Sequence, residues 1–298
     1  MTAAISILAL LAGAYLVAVL EGWVSMGRMS ITGPLASGAA MLGRESFVPK
    51  RRDRVFFEVA PPLLLVSALL AAAVLPLSPG LIVADLATGA LFVNAALAYV
   101  MVALLMAGWA PNGAYAMVGG FRFLGQLVAY SMLIVMPITA VAMRAESLVT
   151  TEVVESQAAL PNAIYQPIGF VLFLLAGMAV CFLPPFDLPT APGELAGGVE
   201  AEYTGWRLAV FRLARLVLVV TVAAAVSVFY LGGWLGPVFP PWAWSAAKTL
   251  AVAALMLLAG RYVPRLRETH VLEWGWKVGI PLALLNIFVV GVMILVVG

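Results

Sequence analysis

The chain has few of the residues that hold metals or redox groups: one cysteine, Cys181, and one histidine, His270. An iron–sulfur cluster usually needs four cysteine ligands, and haem usually needs a histidine in a suitable setting. A single cysteine also excludes a disulfide within the chain. The sequence contains no zinc-type ligand set, phosphate-binding loop or dinucleotide fingerprint. We therefore expect the chain to bind no cofactor of its own, and Cys181 to be a packing residue.

Charged residues are also scarce, at 10% of the chain against 64% hydrophobic residues. Soluble domains carry about 25% charged residues, and a bilayer-spanning helix needs about 20 mostly apolar residues. The pattern predicts an all-α polytopic membrane protein, 1–298 forming one domain without a soluble catalytic part. Eight spans are predicted, at 3–24, 58–78, 86–108, 119–143, 165–183, 207–231, 243–262 and 276–297. The first has no basic segment ahead of it and is expected to be retained rather than cleaved as a signal peptide.

Basic residues fall almost entirely on one side of the predicted spans, and little beyond Arg144 lies on the other side. The positive-inside rule makes the basic side cytoplasmic and places both termini outside, in the cell inner (plasma) membrane. The long connections 27–57, 184–206 and 263–275 all lie on the basic side, and we expect partner proteins to dock there. The alternative is that the basic residues only anchor lipid headgroups. No nucleic-acid partner is expected.

One of these connections also has helical periodicity. Leu35, Ala39 and Leu42 recur at helical spacing within residues 33–46, with Ser37 and Arg44 away from that stripe. The spacing predicts a short amphipathic helix that lies along the membrane interface.

Residues 184–205 hold four of the fourteen carboxylates, Asp187, Glu194, Glu200 and Glu202. Acidic groups beside a membrane core are costly and usually have a task. Two roles remain open from the residues alone. Asp187, Glu194 and Glu202 could form the cytoplasmic start of a proton path, or they could form a docking surface for a basic partner.

Two predicted spans carry polar groups on one helix face. Arg122, Gln126 and Tyr130 recur every four residues in the fourth span. Arg212 and Arg215 lie three residues apart in the sixth span, where an arginine at the bilayer centre would cost on the order of 3 kcal/mol or more. We hypothesise that Arg212 or Arg215 pairs with Glu202 or Glu194. The alternative is that both side chains only snorkel to the interface.

Several ordered motifs resemble the complex I subunit 1 family, whose bacterial members are membrane subunits of NADH-quinone oxidoreductase. The family's loop reads PFDLPEAE-x-EL followed by TEYSG, and this chain has PFDLP at 185–189, Glu194-Leu195 and Glu202-Tyr203-Thr204-Gly205. Further matches are ESFVP at 45–49, Asp53-Arg54, AGW at 107–109, LGGW at 231–234, Pro264-Arg265-x-Arg267 and Trp276-Lys277. The family also has Arg, Gln and Tyr where this chain has Arg122, Gln126 and Tyr130.

The resemblance implies a membrane subunit that joins a peripheral redox module to antiporter-like and small membrane subunits. Iron–sulfur clusters, and an NADH or nickel–iron site, would belong to the partner subunits, and a quinone would bind at the interface. Residues implied for the proton path are Asp187, Glu194, Glu202 and Tyr203. Residues implied for the quinone chamber or partner contact are Arg28, Glu45, Arg54, Arg122, Gln126, Tyr130, Arg265 and Arg267.

The chain departs from the family at several acidic positions. Where the family tends to have glutamate, this chain has Ser131, Val180, Thr190, Pro192 and Arg215. A valine cannot carry a proton and an arginine reverses the local charge, so the usual proton route is expected to be impaired. Three functions remain open: a complex I-like membrane subunit, the membrane anchor of a nickel–iron hydrogenase or formate hydrogenlyase, and a non-redox scaffold of a related ion-translocating complex.

Overall fold

A computed structural model of the chain describes residues 2–27, 29–237 and 239–297. The helices in chain order are α1 (Thr2–Met26), α2 (Gly33–Leu42), α3 (Arg54–Ala73), α4 (Gly89–Trp109), α5 (Ala114–Ala145), α6 (Thr150–Glu155), α7 (Asn162–Tyr165), α8 (Pro167–Val180), α9 (Gly205–Tyr230), α10 (Pro241–Tyr262), α11 (Glu268–Trp274) and α12 (Ile280–Val297). A 3-10 turn, Gly198–Glu200, precedes α9, and a π-helical turn, Gly275–Gly279, joins α11 to α12. The predicted all-α class is confirmed.

Among the described residues, seven helices are long and apolar enough to cross a membrane: α1, α3, α4, α5, α9, α10 and the continuous stretch Glu268–Val296. They confirm the prediction of a polytopic membrane protein. The predicted fifth span, 165–183, differs because only the 14-residue α8 forms within it. Pro167 begins α8, and the helix ends shortly before Phe182, whose backbone is left-handed with a φ of 41°.

The segment that contains α8 nevertheless runs the length of the bundle. At its start, Asn162 accepts a hydrogen bond from Arg144 near the end of α5. At its end, the Gln126 amide of α5 donates to the carbonyl oxygens of Ala179 and Phe186, both at 3.1 Å. Arg144 and Gln126 are separated by about 27 Å along α5 at the helical rise of about 1.5 Å per residue. Within the described residues the chain therefore passes from one end of the bundle to the other eight times, through the seven long helices and the segment that contains α8.

Helix α9 lies at the centre of the bundle, where 83% of its most apolar stretch is buried, against 22% for α1 and for the final span. Helices α1, α3 and α10 pack around α9. Small residues allow close helix approach elsewhere: a Cβ on Gly108 of α4 would lie 2.9 Å from the Cα of Gly120 of α5. Contacts between small residues are a common way for helices to associate in membranes.

The predicted amphipathic helix is present as α2, which packs against α1 and α9. None of its residues is buried, and Leu35 and Leu42 are 64% and 63% exposed. The predicted stripe is therefore exposed, while Pro34, Gly38 and Met41 are partly buried. We call the end of the bundle that carries 29–57, 184–206 and 263–275 the loop face.

Candidate functional site

Ion pairs hold the acidic segment, residues 184–205, against neighbouring elements; we call this segment the acidic loop. Arg265 Nη2 lies 2.8 Å from Asp187 Oδ2, and Arg122 Nη1 lies 2.7 Å from Glu194 Oε2. Arg122 Nε also lies 3.7 Å from Glu268 Oε2 at the start of α11. Two of the carboxylates proposed for a proton path are therefore in contact with guanidinium groups.

Asp187 is the more enclosed of these two carboxylates, with 8% of its side chain exposed against 64% for Glu194. Burial raises the pKa of Asp187 above the usual value of an aspartate, although Arg265 beside it acts in the opposite direction. The sequence pattern predicts only that Asp187 lies in a polar loop. The structure adds that the side chain points inward and forms an ion pair with Arg265.

Glycine backbone geometry determines which acidic side chains of this loop face inward. Gly197 and Gly198 have φ values of 102° and 51°, in the left-handed region that favours glycine. A Cβ on Gly198 would collide with the carbonyl oxygen of Pro189. The turn directs Glu200 into the protein, whereas Glu202 is exposed and lies beside Gly113, just before α5.

A cavity of about 740 Å³ lies between α1, α2 and α9. Its walls are mainly apolar and include Leu11, Ala14, Ala18, Met41, Leu213 and Leu216. Its charged lining groups are Glu21 from α1, Glu200 from the acidic loop, and Arg212 and Arg215 from α9. The cavity thus combines apolar walls with a cluster of two acidic and two basic side chains.

Pairing within this cluster differs from the sequence hypothesis. Arg212 Nε lies 3.7 Å from Glu200 Oε2, and Arg215 Nη2 lies 3.3 Å from Glu21 Oε1. The prediction that these arginines pair with Glu202 or Glu194 is therefore wrong, although both do meet carboxylates. Glu194 is held by Arg122, and the glycine turn directs Glu202 outward, so neither can reach α9.

Glu200 is the main residue that the sequence reasoning left out of the site. Its Oε1 is buried and has no hydrogen-bond partner among the described residues. Burial raises the pKa of Glu200, while Arg215 and then Arg212 act to lower it. The sequence identifies Glu200 as one carboxylate of an acidic loop, but its inward direction depends on the backbone of the preceding glycines.

Gln126 and Tyr130 were predicted to contact a quinone or a partner. Both are buried where α5 packs, 0% and 4% exposed, and neither is among the residues that line the cavity described above. The side chain of Gln126 bonds both ends of the break that follows α8, which is a structural task. A direct quinone contact for these two residues stays a prediction.

Tyr203 is also enclosed. Its ring stacks on Phe57 of α3, with centroids 4.5 Å apart and planes 9° apart. Burial raises the pKa of its phenol, so this group retains its proton at physiological pH. Beside it, Arg207 forms a bidentate ion pair with Glu58, with N–O distances of 2.8 and 2.7 Å. No sequence pattern predicts this link between α3 and α9.

The remaining predicted residues lie at the loop face. Glu45, Arg54, Arg265 and Arg267 are exposed there, and Glu45 lines a second cavity of about 280 Å³ with Arg44, Phe47 and Thr204. Arg28, also predicted to contact a quinone or partner, lies outside the described residues. The exposed set is accessible to a partner protein, but its role in docking stays a prediction.

Comparison with known protein families gives a match that covers nearly the whole chain. The family is described as NADH dehydrogenase, and the match extends over residues 8–291. It includes α2, the acidic loop and all or most of each membrane-crossing helix, and it agrees with the resemblance carried by the sequence motifs. The chain therefore belongs to the NADH dehydrogenase family of membrane proteins, the subunit 1 family of complex I.

Proposed function

We propose that the chain is a membrane-arm subunit that links quinone reduction by a peripheral redox module to proton translocation. The observation that carries this proposal is the cavity between α1, α2 and α9. Its volume of about 740 Å³ falls in the range of small-molecule sites, about 300–1,000 Å³. A quinone combines a polar ring with an apolar tail, and the cavity offers matching surfaces for both.

The walls suit the tail, and the charged cluster suits the ring. Leu11, Leu213 and Leu216 present apolar surface, which an isoprenoid chain would bury favourably at about 25 cal/mol per Å². The guanidinium of Arg212, 50% exposed, is a hydrogen-bond donor suited to a carbonyl oxygen of the ring. Electrons would reach the ring from an iron–sulfur centre of a partner subunit.

The loop face is the surface we propose for that partner. Its exposed side chains include basic groups and large apolar groups together, a composition suited to a protein interface. Arg44, Arg51, Arg54 and Arg267 are exposed, and so are Phe47 and Tyr262, at 71% and 79%.

Glu202 lies on the same face and is proposed to contact the peripheral subunit. Antiporter-like and small membrane subunits would pack on the exposed helix faces.

Proton translocation is the finer part of the proposal. Asp187, Glu194 and Glu21 are each in contact with an arginine, so a proton path would use these groups only if their pairs rearranged. Glu200 and Glu202 carry carboxylate oxygens that are less tightly held. We therefore propose proton uptake from the loop face toward the cavity, with translocation completed by the antiporter-like subunits.

A cavity-filling variant tests the quinone site. Ala18→Phe on α1 would place a ring inside the cavity, whereas Leu8→Phe, at a position 66% exposed, would not. We expect Ala18→Phe to abolish photolabelling of the purified complex by an azidoquinone and to lower quinone reductase turnover, with Leu8→Phe behaving as the unmodified chain. Full labelling and turnover in Ala18→Phe would contradict the proposal.

Purification of the complex from native membranes tests the partners. Co-purification with NADH-oxidising and iron–sulfur subunits supports the proposal. A nickel–iron subunit in their place would instead support the hydrogenase anchor. Antiporter-like subunits without any redox subunit would support the non-redox scaffold, and either of these two results would overturn the proposal.

A further inference from the structure

Arg144 is a cation without a carboxylate partner at the end of the bundle opposite the loop face. It lies in the last turn of α5, and none of the ion pairs among the described residues includes it. The other described basic side chain toward this end, Lys248 of α10, donates to the carbonyl oxygens of Leu231 and Leu235 at 2.7 and 2.8 Å. Of these two cations, Arg144 has the fewer acceptors within the protein.

Two neighbours fix the position of the Arg144 guanidinium. Its Nη1 donates a hydrogen bond to Oδ1 of Asn162, a fully buried side chain. Its Cζ lies 4.3 Å from the centroid of the Tyr165 ring, within the range of a cation–π contact. The Asn162 amide in turn donates to the carbonyl oxygen of Phe229 in α9, at 2.8 Å. The guanidinium is therefore held against the core of the bundle, unlike a mobile surface arginine.

The rest of the guanidinium is available to a ligand. Nε and Nη2 of Arg144 bond to no described residue, and neither atom is buried. A positive charge in the last turn of α5 interacts favourably with the helix dipole, but that interaction uses none of the side-chain donors. The planar fork of a guanidinium matches the oxygens of a phosphate or a carboxylate, so the free edge of Arg144 is suited to one of these groups.

The surface beside Arg144 is apolar. Its neighbour in sequence Met143 is exposed, and so is Ile164, next to the Tyr165 ring. Helix α12 packs against α5 here, since a Cβ on Gly291 would lie 3.6 Å from Cε of Met143. Leu295, one turn further along α12, is also exposed. A fixed cation next to exposed apolar side chains, at the end of a membrane-crossing helix, matches the phosphate and acyl chains of a phospholipid.

The acidic residues at this end indicate which kind of lipid or partner fits. Glu146, Glu152 and Glu155 follow α5 closely, are exposed, and form no ion pair among the described residues. They would repel an acidic protein surface or a lipid with a net negative charge. A zwitterionic phospholipid avoids this repulsion, because its phosphate can meet Arg144 while its amine faces the glutamates.

We infer that Arg144 binds the phosphate of a zwitterionic phospholipid, such as phosphatidylethanolamine, in the leaflet opposite the loop face. The acyl chains of this lipid lie on the exposed apolar surface of α5 and α12. The site is separate from the cavity between α1, α2 and α9, and it does not depend on the proposed function.

Photocrosslinking of the purified complex tests the site. The probe is a phosphatidylethanolamine that carries a diazirine on one acyl chain, added below saturation, and we expect it to label α12 and residues 143–165. Arg144→Gln keeps a hydrogen-bond donor for Asn162 but removes the charge. Labelling of these segments should therefore fall about tenfold, the worth of one charge-assisted hydrogen bond. Labelling near Trp242, an exposed side chain at the start of α10, should not change and is the internal control.

Tyr165 gives a second pair of variants, which carries the test even if Arg144→Gln folds poorly. Tyr165→Leu removes the ring beneath the guanidinium, and labelling should fall about two- to fivefold with the loss of the cation–π contact. Tyr165→Phe keeps the ring and should be labelled as the unmodified complex is. A role of Arg144 confined to joining α5 to Asn162 would leave labelling equal in both Tyr165 variants.

Competition and imaging distinguish the possible occupants. Displacement of the probe by unlabelled phosphatidylethanolamine, but not by inorganic phosphate or phosphatidylglycerol at the same concentration, supports the inference. Equal displacement by either of these two competitors overturns it. Undiminished labelling of Arg144→Gln, or a carboxylate of a partner subunit against Arg144 in a density map of the intact complex, also overturns it.

Discussion

Arg215 Nη2 lies 3.3 Å from Glu21 Oε1, so an arginine of α9 and a carboxylate of α1 form an ion pair beside the cavity. Arg215 also lies over the ring of Phe182, 5.4 Å from its centroid. The family tends to have glutamate at the position of Arg215. With arginine there instead, the net charge of residues 21 and 215 together is zero rather than negative. The two helices that enclose the cavity are thereby joined at its charged end.

The charge of this pair can be exchanged. R215E alone places a third carboxylate beside Glu21 and Glu200, so we expect lower thermal stability in detergent. Adding E21R should restore most of the loss, with a coupling energy of about 0.5–1 kcal/mol because Glu21 is 39% exposed. The double-mutant cycle is measured by thermal unfolding, and simple additivity of the two changes would show that the pair contributes nothing.

The ion pair between Arg207 and Glu58 depends on the fork shape of the guanidinium. Arg207→Lys keeps the charge but cannot make both hydrogen bonds, which lie at 2.8 and 2.7 Å. We expect a loss of about 1–2 kcal/mol, since Arg207 is 12% exposed but Glu58 is 38% exposed. Arg51→Lys, at an exposed position, is the matched control and should unfold as the unmodified chain does.

Because the carboxyl of Asp187 is buried, we expect the free energy of unfolding to depend on pH. The pKa of Asp187 is raised in the folded protein, so the fold favours the protonated carboxyl. This contribution to stability is fully present below the pKa of Asp187 in the unfolded chain, and it is lost as pH rises through the pKa in the folded protein. Arg265 limits this loss. R265Q should therefore lower stability by about 1 kcal/mol at neutral pH, because Arg265 is 48% exposed, and by less under acidic conditions.

The control for this prediction is the double variant D187N/R265Q, in which no carboxylate remains to need the arginine. Its unfolding temperature should change little between neutral and acidic pH relative to the unmodified protein. An equal effect of R265Q at both pH values would mean that Arg265 stabilises the loop through something other than the Asp187 charge.

The glycine turn gives a prediction about the acidic loop. Gly198→Ala adds a Cβ where φ is 51° and where the Pro189 carbonyl oxygen is in the way. The left-handed conformation alone costs a non-glycine residue about 1 kcal/mol or more, so the loop should open and be cleaved faster in limited proteolysis. Gly193→Ala, whose nearest neighbour would be a flexible arginine tip at 3.8 Å, should be cleaved at the original rate.

Much of the fold follows from the sequence because hydropathy reports burial in lipid directly. The long apolar helices were predictable in this way, and α2 was predictable from the helical spacing of Leu35, Ala39 and Leu42. The shortened α8 was not, since the hydropathy of 165–183 continues beyond Val180 while the backbone leaves the helix there. The side chain of Gln126, which bonds the two ends of that break, comes from a distant part of the chain.

The candidate site was predictable in its residue types but not in its pairing. Sequence spacing places Arg212 and Arg215 on one helix face, and composition marks residues 184–205 as acidic. Which carboxylate meets which arginine depends on the backbone at Gly197 and Gly198. Because of that local geometry, Glu200 faces the cavity and meets Arg212. Glu202, which the sequence hypothesis paired with an arginine of α9, faces outward.

Helix α2 has a consequence for how a ligand reaches the cavity. None of its residues is buried, and it meets the rest of the protein through a few contacts, such as that of Met41 Sδ with Arg212 at 3.8 Å. Moving α2 outward therefore disrupts little packing and transfers mainly apolar surface into lipid. An amphiphile already dissolved in the bilayer would reach the cavity by lateral diffusion in the plane of the membrane. Its rate of entry would then depend mainly on displacing lipid around α2 rather than on opening the protein core.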